Sequence, residues 1–106
     1  MKYITLLCTA GMSTSLMVNK MRRVAAEKNL EVEITAMAEF MFSRNEKPAD
    51  VLLLGPQVGY KLDELRKRLE PEGVPVAVID SQMYASMDAQ GVLHTALDMI
   101  DMKNAL

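Results

Sequence analysis

The chain carries one cysteine, Cys8, and it opens the run Cys8-Thr9-Ala10-Gly11-Met12-Ser13-Thr14-Ser15. Small residues and hydroxyls dominate that run, and a helical pattern begins at its far end. Backbone N–H groups in such a loop converge on one point at a helix N-terminus, where the helix dipole favours an anion. Gly11 supplies the dihedral freedom that a nest of this kind requires. Ser13, Thr14 and Ser15 can cap the helix or donate hydroxyl hydrogen bonds. The same dipoles favour the thiolate of Cys8, the nucleophilic form, and would hold a phosphoryl group carried on its sulfur. A cysteine here can also be a small buried hydrophobe at a strand end, under an ordinary helix cap. Position, loop composition and topology together favour the reactive reading.

Two familiar phosphate loops do not match: neither Gly-x-x-x-x-Gly-Lys-Ser/Thr nor Gly-x-Gly-x-x-Gly occurs. A tyrosine-phosphatase loop needs an arginine six positions after its cysteine, and that position holds Thr14. Arginine there would clamp the equatorial phosphoryl oxygens and stabilise the transition state. Its replacement by threonine points to a site that holds a phosphoryl group rather than hydrolysing it efficiently.

The elements that position this loop alternate between strand and helix patterns. Tyr3–Leu7 is a short apolar run suited to a buried strand. Thr14–Lys28 has helical spacing, with Met17, Met21, Val24 and Ala25 on one face. Glu31–Ala36 carries a modest strand signal through Val32, Ile34 and Thr35. Residues 37–48 are ambiguous, and a short helix there would hold Phe40 and Met41. Asp50–Leu54 is a continuous apolar strand that Gly55-Pro56 ends abruptly. Val58, Leu62, Leu65 and Leu69 mark the cleanest helix, terminated by Pro71 and Gly73. Val76–Ile79 is a fourth strand, closed by Asp80-Ser81. Ala89, Val92, Leu93, Ala96 and Ile100 define a final helix from about Asp88 onward.

Apolar strands separated by helices predict an α/β fold: a single three-layer domain with a four-stranded parallel sheet of order 2-1-3-4 and helices on both faces. Ligands bind such sheets outside the carboxyl ends of the strands, where the strand order reverses. That point lies between the first and third strands, where the cysteine loop meets Gly55-Pro56-Gln57.

Composition excludes several classes. The 106 residues suffice for one domain spanning 1–106 and are too few for two. A net charge of -2 argues against electrostatic binding to nucleic acid or anionic lipid. With one cysteine and one histidine, a disulfide framework is excluded and neither a metal site nor another cofactor is expected. No apolar run approaches the ~20 residues of a membrane span, and the N-terminus lacks a signal-peptide pattern. A free thiol then fits a cytoplasmic protein.

The sequence resembles the enzyme IIB components of the lactose/cellobiose group of bacterial sugar phosphotransferase systems, most closely the cellobiose/chitobiose type. Cys8–Ser15 is similar to that family's active loop. Leu54-Gly55-Pro56-Gln57 with Tyr60, and Val78-Ile79-Asp80-Ser81 with Tyr84, are further similar stretches. The resemblance implies a phosphoryl relay. Cys8 would take the group from a phosphohistidine on a IIA component and pass it to a sugar imported by a membrane-embedded IIC component. It implies that Thr9–Ser15 bind the phosphoryl group and that the sugar is a β-linked disaccharide such as cellobiose or diacetylchitobiose. A carrier of this kind is expected to be a monomer forming transient complexes, recruited to the inner membrane face through IIC without entering the bilayer.

Other residues have two readings each. Gln57 can donate to the anion; Tyr60 and Tyr84 can shield the site, contact a partner or simply pack. Asp80 can interact with the loop or cap the segment after it, and a carboxylate near a phosphoryl group would repel it unless protonated. His94 lies on the last helix without a nest of small residues and is set aside. The competing functions are a low-molecular-weight phosphatase or arsenate-reductase-like enzyme, and a binding module with an inert Cys8.

Overall fold

Successive side chains of a strand point to opposite faces, so a strand covered on both sides must be apolar at every position. Val51-Leu52-Leu53-Leu54 satisfies that rule, and all of them are buried. In the computed structural model these residues form β3 (Val51–Leu54), one of the central strands of a parallel sheet. The other is β1 (Lys2–Cys8); β2 (Val32–Ala38) and β4 (Val76–Val78) are the edges, giving the order β2-β1-β3-β4. The structure describes residues 1–9, 12–42 and 49–104, with only the backbone of Met12 and Ser13.

The sheet's faces carry separate apolar clusters. Ile4 and Leu6 of β1, Ile34 of β2 and Val51 and Leu53 of β3 face the helices α1 (Met12–Glu27) and α5 (Ala89–Asn104). Met17, Val18, Met21 and Ala25 of α1 meet them, together with Val92, Leu93, Ala96 and Ile100 of α5. On the opposite face Leu7, Leu52, Leu54 and Val76 pack against Leu65 and Leu69 of α3 (Leu62–Leu69) and Phe42 at the end of α2 (Glu39–Phe42). Burying each of these leucines contributes roughly 1.5–3 kcal/mol relative to exposure. The expected sheet order, parallel sense and two-sided helical cover are all present.

Local details differ from the sequence reading where turn chemistry prevailed over apolar spacing. The single helix expected from Val58 to Leu69 is two segments: a 3-10 turn over Pro56–Lys61, then α3. Within the first segment the backbone kinks at Val58, whose φ of -112° and ψ of 19° leave the helical region, and α3 begins only at Leu62. Proline near the start presets φ for a tight turn, while Val58 keeps its buried place beside Leu7 and Leu54. The segment closing β4 also forms a short helix, α4 (Ser81–Ala85), which five residues without strong apolar spacing did not announce. In α2 the buried aromatic is Phe42, whereas Phe40 and Met41 are exposed. Residues 43–48 of the ambiguous stretch lie outside the described residues.

Both open edges of the sheet are capped by arginines. Arg22 of α1 donates from Nε and Nη2 to the Ile34 carbonyl of β2, at 3.0 and 2.6 Å. Arg66 of α3 donates from Nε to the Val76 carbonyl of β4 at 3.1 Å. A long charged side chain on an edge carbonyl removes a docking point for a foreign strand.

Candidate functional site

Cys8 is the last residue of β1, paired with Ala38 on the β2 side and only 2% exposed. It is a free thiol. β1 is a central strand, so the backbone ladders on either side fix where its carboxyl end can lie. The 16-residue helix α1 begins at Met12. No acidic side chain occupies that helix's first turn, so its positive end is not neutralised from within.

Thr14 returns to the cysteine. It lies in the first turn of α1, is fully buried, and its hydroxyl donates to the Cys8 sulfur at 2.8 Å. The sequence reading left this hydroxyl as either a helix cap or a ligand donor; the structure aims it at sulfur. Thr9 and Ser15 are exposed. Ala10 and Gly11, on which the expected convergence of backbone N–H groups depends, lie outside the described residues, as do the side chains of Met12 and Ser13.

The second loop of the expected crevice is also in place. Gly55 follows β3 and donates its N–H to the Leu7 carbonyl at 2.7 Å, which draws the loop against the end of β1. A Cβ at Gly55 would lie 3.3 Å from that carbonyl, 2.9 Å from Gln57 Oε1 and 3.7 Å from Cys8 Cβ. Only glycine allows so close an approach without displacing its neighbours. Gly55 was legible as a strand terminator whose loop meets the cysteine loop, and the structure adds how closely its backbone approaches Leu7 and Cys8. Gln57 is exposed, with its side-chain oxygen over Gly55.

The remaining candidates separate. Asp80 caps α4: its Oδ2 accepts from the N–H groups of Gln82 and Met83, each at 3.1 Å. Tyr84 is half-buried against the α1–α5 cluster, whereas Tyr60 is 75% exposed. His94 is exposed on α5 and pairs with Asp98 at 3.2 Å. Lys61, at the end of the 3-10 turn, bridges Glu39 and Glu64, each at 3.2 Å. Hydrogen bonds that its ammonium group donates to Glu39 and then Glu64 hold it charged above the ordinary lysine range. Among the described residues, no helix is long and apolar enough to cross a membrane.

Relatives share this arrangement of chain. The family model for the lactose/cellobiose-specific IIB subunit of the phosphotransferase system matches residues 3–95. The galactose-specific EIIB component of Lactococcus lactis subsp. cremoris is 44% identical over 105 residues, covering 94% of this chain and 97% of that protein. The cellobiose-specific EIIB component of Lactococcus lactis subsp. lactis is 43% identical over 105 residues, with the same coverage. The solution structure of the cellobiose-specific phosphotransferase IIB component from Borrelia burgdorferi has a TM-score of 0.78 and 34% identity, covering 96% of this chain and 94% of that one. A match that runs through the cysteine loop and on past the last strand places the chain among the lactose/cellobiose-specific IIB subunits of the sugar phosphotransferase system, as a phosphotransferase component.

Proposed function

We propose that Cys8 is the nucleophile of a phosphoryl carrier. It accepts the group from a phosphohistidine on a IIA component and surrenders it to a sugar held by a membrane-embedded IIC component. The whole chain acts as one unit, working at the cytoplasmic face where IIC presents the sugar, as a monomer in transient complexes. The observation that carries this reading is the single thiol at the carboxyl end of a central strand, bonded by a buried hydroxyl from the first turn of α1.

Both transfers are displacements at phosphorus, in which a protein contributes positioning and preorganised donors. Thr9–Ser15 supply those donors, with no arginine or lysine among them. A neutral cradle holds the group less tightly than a guanidinium clamp would, which suits a residue that must give it up at the next step. The same absence of arginine weighs against the phosphatase reading. Asp80 is already committed to the α4 amides, which supports a structural role for it.

The sugar class we assign is the β-linked disaccharides, in keeping with the cellobiose specificity named for two of the relatives. A galactose-specific relative stands at nearly the same identity, 44% against 43%. That is understandable if the membrane component selects the sugar and IIB carries only the phosphoryl group. The test is incubation with phosphorylated IIA donor, read by intact mass with Cys8→Ala as control. One stable phosphorylation that the variant lacks supports the carrier. Rapid release of inorganic phosphate would favour a phosphatase, and no modification by any cognate donor would overturn both.

A further inference from the structure

A fully buried hydroxyl needs a destination for its proton, and the hydroxyl of Thr14 has the Cys8 sulfur at 2.8 Å. A thiol accepts such a bond weakly, whereas a thiolate accepts a charge-assisted bond about twice as strong as a neutral one. The contact therefore discriminates between two states of the same sulfur. Its partners are both mounted on rigid parts of the fold. Thr14 sits on α1 and is stiff about χ1 through β-branching, and Cys8 ends a strand paired on the β2 side through its last residue. Gly55 packs against the β-carbon side of the cysteine.

We infer that Thr14 is a positioning residue that orients the Cys8 sulfur and stabilises its anionic form, both as nucleophile and as leaving group. Its bearing on the thiol stands alone; its bearing on phosphoryl transfer rests on the relay proposed above. On loading, a sulfur lone pair forms the S–P bond as the P–N bond breaks. That bonding pair returns to the donor imidazole, which is protonated on its other nitrogen and leaves neutral. On unloading, the sugar hydroxyl oxygen attacks phosphorus, the S–P pair returns to sulfur, and the hydroxyl proton passes to water. Charge leaves the sulfur in the first step and reappears there in the second, so one fixed donor acts on both. By favouring the departing thiolate, Thr14 keeps the phosphocysteine a ready donor.

The test compares Thr14→Val, which removes the hydroxyl at nearly constant shape, with Thr14→Ser, which keeps it. In the unphosphorylated protein, thiolate absorbance is followed against pH with Cys8→Ala as blank. The valine variant should bind the thiol proton about tenfold more tightly than the parent, and serine should restore the parent curve. At alkaline pH, where all variants are ionised, phosphoryl partition with the IIA donor should shift about tenfold toward the phosphorylated chain in Thr14→Val, and onward transfer should slow. Parent-like ionisation in Thr14→Val, or failure of serine to restore it, would overturn the inference. A partition shifted toward IIA would also overturn it, by showing that the hydroxyl serves the phosphoryl oxygens instead. If no donor phosphorylates the chain while the ionisation shift and its rescue are seen, the role of Thr14 stands and the relay falls. Should Thr14→Val melt below the assay temperature, Thr14→Ala removes the same hydroxyl and faces the same criteria.

Discussion

Replacing Asp80 by alanine and by asparagine distinguishes a helix cap from a participant in the chemistry. Its Oδ2 accepts from the N–H groups of Gln82 and Met83 at 3.1 Å each, and its carbonyl accepts from Tyr84 at 2.9 Å. The helix it caps has only five residues, Ser81–Ala85, too few to support themselves. Alanine removes both side-chain bonds, and loss of an N-cap costs about 1 kcal/mol, within a range of roughly 0.5–2. Solvent reaches these exposed amides, so the lower half of that range applies. For a chain of this size about 1 kcal/mol lowers Tm by roughly 4–5 °C. Asparagine keeps an acceptor oxygen and ranks beside aspartate as a cap, so Asp80→Asn should melt within roughly 2 °C of the parent. Phosphorylation of Cys8 by the IIA donor, assayed well below the melting range, should be parent-like in both. An asparagine variant of parental stability that accepts phosphoryl groups about tenfold more slowly would refute a role confined to capping, because only a chemical role separates those readouts. An alanine variant that melts with the parent would refute the energetic argument.

Gly55→Ala should destabilise by about 1 kcal/mol and slow phosphoryl transfer to Cys8, because the new methyl meets the Leu7 carbonyl at 3.3 Å. The backbone there, at φ -60°, admits alanine, so parental values in thermal melts and transfer rates would show that the approach is not tight. Arg22→Met together with Arg66→Met should expose the edge carbonyls of Ile34 and Val76 and increase concentration-dependent self-association in light scattering. A double variant that stays as dispersed as the parent would remove the edge-capping argument. Lys61 is held charged above its ordinary value of 10.5 by Glu39 and Glu64. A folded-state value raised above the unfolded one gives a contribution that is complete below 10.5 and lost as pH climbs through the raised value. The difference in Tm between parent and Lys61→Met should therefore be small and constant from neutral pH upward and vanish only in the strongly alkaline range. A difference that fades between neutral pH and 10.5 would contradict the assignment.

The sheet was legible because burial on two faces writes itself into strand composition. Val51–Leu54 is apolar at every position, and Ala89, Val92, Leu93, Ala96 and Ile100 are all buried, as their spacing requires. Segments governed by short-range geometry were harder to read. Val58 shares the apolar rhythm of Leu62, Leu65 and Leu69, yet it belongs to a 3-10 turn, because the same residues can face a core from either geometry. Helix α4 depends on one carboxylate cap rather than on an apolar stripe, so periodicity could not reveal it. The position of Cys8 at the carboxyl end of β1 was legible from the apolar run before it and the small residues and hydroxyls after it. The partner chosen by Thr14 was not, because a hydroxyl in a first turn has several destinations and only tertiary structure selects one.

Topology explains why the sulfur lies where it does. From β1 the chain departs into α1 on one face of the sheet; from β3 it departs through the 3-10 turn toward α3 on the other. Adjacent strands whose connections lead in opposite directions along the sheet leave a crevice at their carboxyl ends, and β1, which leads outward to β2, and β3, which leads outward to β4, are such a pair. Cys8 is the last residue of one, and Gly55 directly follows the other and is bonded back to Leu7. The position of the sulfur is thus set by backbone ladders and a glycine contact, independently of the exposed side chains around it. In the carrier proposed above, a single nucleophile needs no metal cluster or carboxylate pair beside it, because other proteins would provide the donor and the acceptor. What the fold must supply is a fixed sulfur and a donor matched to its charge, and the Thr14–Cys8 bond meets both requirements with one hydroxyl.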